Sequence, residues 1–332
     1  GPEFKELLAE VTANLRTVFQ TANEMVILTG SGTGGLEAAV VNLLCPGDQV
    51  VAVSIGEFGE RLADIARVFG ADVTKVSAPY GQAADPQALE EALDKTPGAR
   101  LVLVTHNETS TGVTNDLRTL AAVVRSRPNG GPLLVVDGVS SVGSIPLLTD
   151  EWGCDVVVSG SQKGWMAPPG LAFVAISPRA WEVVEQATCP RYYWDFRQAR
   201  KYGQAGQTPW TPAVSVLYAL RVGLQLIMQE GLENVYARHR RVAQYTRDGG
   251  RALGFELFAD PAHASDTVTC LKVPAGVDAA ALTARLREQG VVIAGGQGKL
   301  KGQVIRIGHL GYVNEADIDG VFQALRVALG KG

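Results

Sequence analysis

Two residues in this chain have settings that favour chemistry. One is the lysine in Asp155-Val-Val-Val-Ser-Gly-Ser-Gln-Lys163-Gly-Trp, the other the aspartate closing Pro132-Leu-Leu-Val-Val-Asp137. Residues 133–136 and 156–158 read as buried strands of a parallel sheet, too short and too β-branched for helices. Polar side chains just past the carboxyl ends of such strands sit where α/β sheets place ligands. A partly desolvated lysine there can lose its proton and form a Schiff base with a carbonyl. An aspartate there can hold a protonated ring nitrogen. Singly, each has a plainer reading: a surface lysine after a strand, an aspartate capping a helix. Together they are what pyridoxal phosphate (PLP) requires of a protein.

Other segments extend the pattern. Gly30-Ser31-Gly32-Thr33-Gly34-Gly35 lies between a strand at 25–28 and a helix expected from Leu36. Glycines let the backbone approach an anion, and free N–H groups at the positive end of a helix dipole bind it. Gly30, Gly32 and Gly35 also satisfy the dinucleotide fingerprint, but no acidic residue ends the second strand to bind a ribose hydroxyl. Thr105-His-Asn-Glu-Thr-Ser-Thr-Gly112 is a hydroxyl-rich loop after a strand, able to bond a ring substituent or a carboxylate; His106 alone reads as structural. Phe58 could stack on a flat cofactor or simply start a helix as a core residue. Arg306, inside the apolar run Gln303-Val-Ile-Arg306-Ile-Gly-His, needs a partner, either a structural carboxylate or a substrate's. The basic and aromatic run from Arg191 to Tyr202 fits an interface or site rim better than a nucleic-acid surface.

The elements that must position these residues alternate between strand-like and helix-like runs. Strands are expected at 25–28, 50–53, 72–76, 101–104, 133–136, 156–158 and 171–176. Asp85-Pro86 and Asp116 mark helix starts between them. Alternation of this kind means βαβ units and a mostly parallel sheet. The opening residues, from Phe4 to Phe19, place apolar side chains at helical spacing. A polar and aromatic loop at 188–210 breaks the pattern. Helical runs at 213–228 and 232–253 follow, then strands at 256–258, 267–273, 291–294 and 304–307 with helices at 278–289 and 315–329. The expected organisation is a large domain, 1–230, and a smaller α+β domain, 231–332.

Composition narrows the possibilities. With 46% hydrophobic and 19% charged residues the chain has an ordinary soluble balance, and its net charge of −4 offers no general attraction to nucleic acid or an anionic membrane. No apolar stretch reaches transmembrane length, and no signal-peptide pattern opens the chain. The four cysteines are widely spaced, without a C-x-x-C or a nearby histidine, so neither a disulfide framework nor a metal site is expected. A cytoplasmic setting is the expectation. Gly1-Pro2 has the form of a tag remnant.

In chain order these residues resemble the class V, fold-type I PLP-dependent aminotransferases, and within them the alanine/serine–glyoxylate aminotransferase group. The resemblance rests on Ser31-Gly-Thr-Gly-Gly-Leu-Glu-Ala-Ala39, Glu108-Thr-Ser-Thr-Gly112, Val135-Val-Asp137, Ser159-Gly-Ser-Gln-Lys163 with Ala167-Pro-Pro-Gly170, and Arg306-Ile-Gly. It runs from about Phe4 to Leu329. It implies a doubly wound large domain, a smaller C-terminal domain, and a homodimer with shared active sites. Lys163 would bind the cofactor and shuttle the substrate proton, and Asp137 would pair with the ring nitrogen. Phe58 would stack on the ring, and Ser110 would lie near its oxygen. Ser31, Gly32, Thr33 and Gln162 would hold the phosphate, joined across the dimer by Thr211. Arg306 would clamp the substrate carboxylate. The resemblance further implies a ping-pong transfer from alanine or serine to a 2-oxo acid, with glyoxylate expected. Two departures from the family are expected: Thr208 stands where some relatives carry a tyrosine, and the sequence as given shows no counterpart of the family's N-terminal arm that wraps the partner.

Rival readings are another class V enzyme, such as a cysteine desulfurase or an aspartate aminotransferase, an NAD-dependent oxidoreductase, and a non-catalytic subunit. Gln162 before Lys163, and Cys270 within an apolar run, disfavour desulfuration. Retention of both Lys163 and Asp137 disfavours a non-catalytic role.

Overall fold

The computed structural model of the chain describes residues 1–330. Its first half follows the alternation: α1 (Pro2–Phe19), β1 (Glu24–Thr29), α2 (Gly32–Leu43), β2 (Gln49–Ser54), α3 (Glu57–Val68), β3 (Asp72–Ser77), α4 (Pro86–Lys95) and β4 (Ala99–Thr105). A short hairpin, β5 (Asn107–Glu108) and β6 (Val113–Thr114), precedes α5 (Leu117–Arg125), β7 (Leu133–Asp137), β8 (Val156–Gly160), β9 (Leu171–Ile176) and α6 (Pro178–Val184). Asp85 and Asp116 cap α4 and α5, accepting hydrogen bonds from the N–H groups of Gln87 and Thr119.

The main sheet has the order β1-β9-β8-β7-β4-β2-β3. The strands pair in parallel except at β9, which is antiparallel to both β1 and β8. Side chains alternate between two helix layers, because a strand's period is two. Val51, Val53, Val102, Val104, Leu134 and Val136 pack toward α1, α4, α5 and, further on, α8 (Val214–Glu230). Their neighbours Val50, Ala52, Leu101, Leu103, Leu133 and Val135 pack toward α2, α3, α6 and α7 (Phe196–Gln204). Burial on both faces explains why these strands read as continuous apolar runs.

The C-terminal part begins with α9 (Leu232–Ala252) and builds a second sheet, β10 (Glu256–Leu257), β11 (Val268–Lys272), β12 (Ala294–Gly295) and β13 (Val304–Gly308). Its order is β10-β11-β13-β12, all antiparallel, with Cys270 opposite Arg306. Helices α9, α10 (Ala279–Glu288) and α11 (Glu315–Ala328) cover it through Val242, Leu282, Leu286, Ile318, Phe322 and Leu325.

Three details differ from the sequence reading. Helix α2 starts at Gly32 rather than Leu36, because Ser31 caps it through Gly34 N–H and tertiary packing overrides the poor helix propensity of glycine. The loop at 188–210 contains α7, capped by Asp195 and anchored by buried Phe196 and Ala199. The strand expected at 291–294 is instead β12 at Ala294–Gly295, since Val291 N–H still bonds Leu286 O at the end of α10. The NAD reading also loses its topological basis. That fingerprint belongs to a strand inside the sheet, whereas β1 is an edge strand that does not touch β2.

Gly35 shows how closely α2 approaches the sheet. A Cβ there would lie 2.8 Å from Val158 Cγ1 and 2.9 Å from Ala172 Cβ. Gly35→Ala is expected to destabilise the apo-protein by about 1–3 kcal/mol. Chemical denaturation measures this, and an unchanged midpoint would contradict the packing described.

Candidate active site

Asp137 is the last residue of β7, and the parallel ladder sets it opposite Val158 of β8. Gly138 N–H then donates to Val158 O at 2.8 Å, keeping the two strand exits together. The Asp137 carboxylate is 6% exposed and accepts one hydrogen bond, from Val139 N–H at 3.0 Å. Desolvation pushes its pKa up to about 7, with the Val139 bond and the Lys163 charge pulling the other way and the Glu108 charge adding to the rise. Lys163 follows β8 by three residues and is half-buried. Burial lowers its pKa, Arg306 lowers it further, and Asp137 opposes both. The lysine loop is anchored by Trp165, whose indole N–H donates to Ser159 Oγ at 2.8 Å while its ring stacks on Phe19 of α1.

The N-terminus of α2 lies beside this pair. Gly35 N–H and Gly34 N–H bond Ser31, whereas those of Gly32 and Thr33 have no partner among the described residues. A Cβ on Gly160 would meet Gln162 Oε1 at 3.2 Å and Gly32 Cα at 3.3 Å, so Gln162, at the surface, and the helix start converge on one backbone. Two free amides, a helix dipole and a side-chain amide form a donor set suited to a phosphate. Trp194 closes the outer side. Its ring would lie 2.7 Å from a Cβ on either Gly30 or Gly34.

Glu108 is a residue that the sequence reading quoted within its motif but gave no role. It is fully buried, and its carboxylate accepts hydrogen bonds from Phe58 N–H (3.1 Å), Gly59 N–H (3.0 Å), Ser110 N–H (3.1 Å) and Ser110 Oγ (2.5 Å). Ser110 Oγ in turn accepts from Glu57 N–H at 3.0 Å. An acidic group at a helix N-terminus satisfies its unpaired amides and its dipole, and this one fixes where Phe58 stands. The only advance signal was an acidic residue in a loop otherwise rich in hydroxyls. Ser110 therefore commits its hydroxyl proton to Glu108 and can meet a ring oxygen only by accepting. The Phe58 ring is half-buried, with the Arg61 guanidinium 4.8 Å from its centroid.

Arg306 is 8% exposed and donates to Gly295 O (2.9 Å) and Thr109 O (3.0 Å). No described carboxylate lies within ion-pair distance of it. A buried guanidinium satisfied only by carbonyls retains capacity for a bidentate anion. Thr211 is at the surface, outside this cluster. Thr208 donates to Trp210 O at 2.7 Å, so it is engaged locally. His106 is buried with its pKa lowered to about 4 by desolvation, and packs edge-on against Trp152. Burial pushes the Cys270 thiol up to about 12, which leaves it unreactive. Arg191 donates to the carbonyls of Val41, Val184, Ala187 and Cys189, tying chain ends together rather than facing a ligand. Among the described residues no cluster of three or more His, Cys, Asp or Glu could hold a metal ion, and no helix is long and apolar enough to cross a membrane.

The residues brought together fit PLP. A buried carboxylate lacks a cationic partner, a lysine is biased toward its neutral form, a phosphate cradle adjoins them, and an aromatic ring stands near. Comparison with known proteins agrees. The profile described as Aminotransferase class-V matches residues 1–321. The chain is 42% identical to a Synechococcus protein named as the small subunit of a soluble hydrogenase, over 99% of this chain and 86% of that one. It is also 42% identical to the L-aspartate–glyoxylate aminotransferase of Paracoccus denitrificans, over 95% of this chain and 81% of that one. The solved alanine–glyoxylate aminotransferase of Nostoc sp. superposes with a TM-score of 0.94 at 34% identity, covering 99% of this chain and 88% of that one. The chain belongs to the class V aminotransferases, whose cofactor is PLP.

Two outcomes test the geometry. Asp137 has a folded pKa raised above its ordinary value of 3.8, so its contribution to stability is fully present below that value and is lost as pH rises through about 7. Urea unfolding of the apo-protein from pH 4 to pH 8 should show that loss, and Asp137→Asn should flatten it. Glu108→Ala is expected to cost about 1–3 kcal/mol by leaving the α3 amides and Ser110 unpaired. Unfolding within error of the parent protein would show that the clamp carries no weight.

Proposed function

We propose that this class V aminotransferase moves an amino group from a small amino acid, alanine or serine, to a 2-oxo acid, with glyoxylate as acceptor, in two alternating half-reactions. The observation that carries the reading is Arg306, buried beside the site and without a carboxylate of its own. Relatives named as serine–glyoxylate and alanine–glyoxylate aminotransferases, 34–37% identical, support a small donor and this acceptor.

When bound, PLP supplies an electron sink for charge that develops at the substrate α-carbon. Lys163 holds the cofactor and then moves the α-proton, work for which its lowered pKa suits it. Asp137 pairs with the ring nitrogen, the cation that its buried carboxylate lacks in the protein alone. Phe58 stacks on the ring, and Ser110 faces its oxygen. Ser31 positions the helix start so that Gly32 and Thr33 N–H groups, with Gln162, hold the phosphate. Arg306 binds the substrate carboxylate.

The working unit in this reading is a homodimer. Val214, Tyr218, Val222 and Leu226 recur every four residues along α8 and are 37–53% exposed, an apolar stripe suited to burial against a second copy. Thr211, just before α8, would reach the partner's phosphate site. The chain divides into domains at 1–230 and 231–332, the latter ending just beyond the described residues, with Gly231 at φ 83° forming the turn between α8 and α9. Four free cysteines accord with a reducing, cytoplasmic setting.

An absorption spectrum tests the assignment. The purified protein should show a visible band that Lys163→Ala abolishes and that an amino donor bleaches. Turnover in the variant should fall on the order of 10²–10⁴-fold. A protein with no band after soaking in PLP would refute the reading, and assay of alanine, serine and aspartate in turn would settle the donor.

A further inference from the structure

Asn107 sits one residue before the Glu108 clamp and is 3% exposed. Every hydrogen-bonding position of its side chain is filled. Its Nδ2 donates to Ser140 Oγ (2.8 Å) and to Thr267 Oγ1 (2.9 Å). Its Oδ1 accepts from Thr114 Oγ1 (2.8 Å) and from Ser265 Oγ (2.6 Å). The Ser140 hydroxyl donates back to Asn107 O at 2.9 Å. Ser140 lies three residues past Asp137, on the exit of β7. Ser265 and Thr267 lead into β11, whose Cys270 pairs with Arg306 on β13. One amide therefore joins the exit of the aspartate strand, the hairpin carrying Glu108, and the strand that supports the arginine.

Neighbouring contacts act in the same direction. Ser265 N–H donates to Gly112 O at 2.9 Å, and a Cβ on Gly112 would meet Cys270 Cβ at 2.8 Å. Arg306 itself reaches Thr109 O. His106 N–H also donates to Asp137 O at 3.0 Å, so the main chain ties the hairpin to β7 on one side and to the start of β11 on the other. The Asn107 amide spans both sides at once through Ser140, Ser265 and Thr267, and a planar group with two donors and two acceptor lone pairs permits one orientation of all four hydroxyl partners.

We propose that Asn107 is a positioning residue, which sets where Arg306 stands relative to Asp137 and Lys163 and so governs recognition of the substrate carboxylate. This rests on the functional reading above. It predicts an effect on carboxylate-bearing ligands that is separate from cofactor binding, because the amide bridges to the arginine-bearing sheet and touches no phosphate-site group.

The test uses two reagents that capture the PLP carbonyl, aminooxyacetate, which carries a carboxylate, and methoxyamine, which does not. Loss of the visible band gives both rates, in the parent protein, Asn107→Ala and Thr267→Val. Equilibrium dialysis gives PLP affinity, and thermal unfolding of the apo-protein gives stability. The expected result is an aminooxyacetate-to-methoxyamine rate ratio lowered about tenfold in Asn107→Ala and less in Thr267→Val, with PLP affinity held. A general loss of stability would slow or speed both reagents together and leave the ratio unchanged. An unchanged ratio in both variants overturns the proposal. Should Asn107→Ala fail to fold, Thr267→Val alone decides it, since that change removes one hydroxyl at nearly constant volume. A parent protein with no band would instead sink the functional reading on which the proposal stands.

Discussion

A buried carboxylate with too few donors of its own is the constraint on which the rest of this site depends. The β7–β8 ladder holds Asp137 where water cannot solvate it, and one backbone amide is all that the chain offers directly. Removing a charge from water is costly unless an opposite charge or several hydrogen bonds replace it. Lys163 and Arg61 relieve the cost only partly, since the pKa still rises to about 7. A carboxylate so placed is suited to a cation, and in the proposed function the protonated ring nitrogen of PLP would supply it. The same arrangement lowers the Lys163 pKa, so desolvation prepares acid and base together.

Such a site needs a frame that does not yield, and two devices provide it. On the phosphate side, glycines bring α2 so near the sheet that Val158 and Ala172 leave no space for a Cβ at Gly35. On the opposite side, Glu108 ties the start of α3 to the hairpin that follows β4. Both devices use helix N-termini, one left open for an anion and one closed by the protein's own carboxylate. The contrast is physical. Among the described residues the Gly32 and Thr33 N–H groups have no partner beside the mouth of the site, whereas those of Phe58 and Gly59 are satisfied internally to hold a ring in place.

The hairpin at 107–114 links these devices to the second sheet. Glu108 faces α3, Thr109 O receives Arg306, Gly112 lies on Cys270, and Asn107 reaches both the β7 exit and the start of β11. In the proposed function, substrate recognition and cofactor binding would share one short segment while using different atoms of it.

Much of this was legible in the chain itself. The apolar runs of β2, β4, β7, β8 and β9 announced the main sheet, because strands buried on both faces carry no polar alternation to obscure them. Asp85 and Asp116 announced helix starts because capping is local. Lys163, Asp137 and the glycine run stood out because their chemistry depends on residue type and on strand-end placement. Thr211 could be assigned only by resemblance, and Phe58 stood between cofactor stacking and a core role until the resemblance favoured stacking, since nothing local distinguishes a contact surface from an ordinary one. Helix α7 and the early start of α2 were missed, as packing against the sheet outweighed weak propensity. Glu108, Asn107 and the lack of a carboxylate for Arg306 belonged to tertiary structure alone. Each includes a contact between residues far apart in the chain, 50 positions for Glu108, 160 for Asn107 and 197 for Arg306, and no spacing in a linear chain records which buried groups will find partners and which will be left for a ligand.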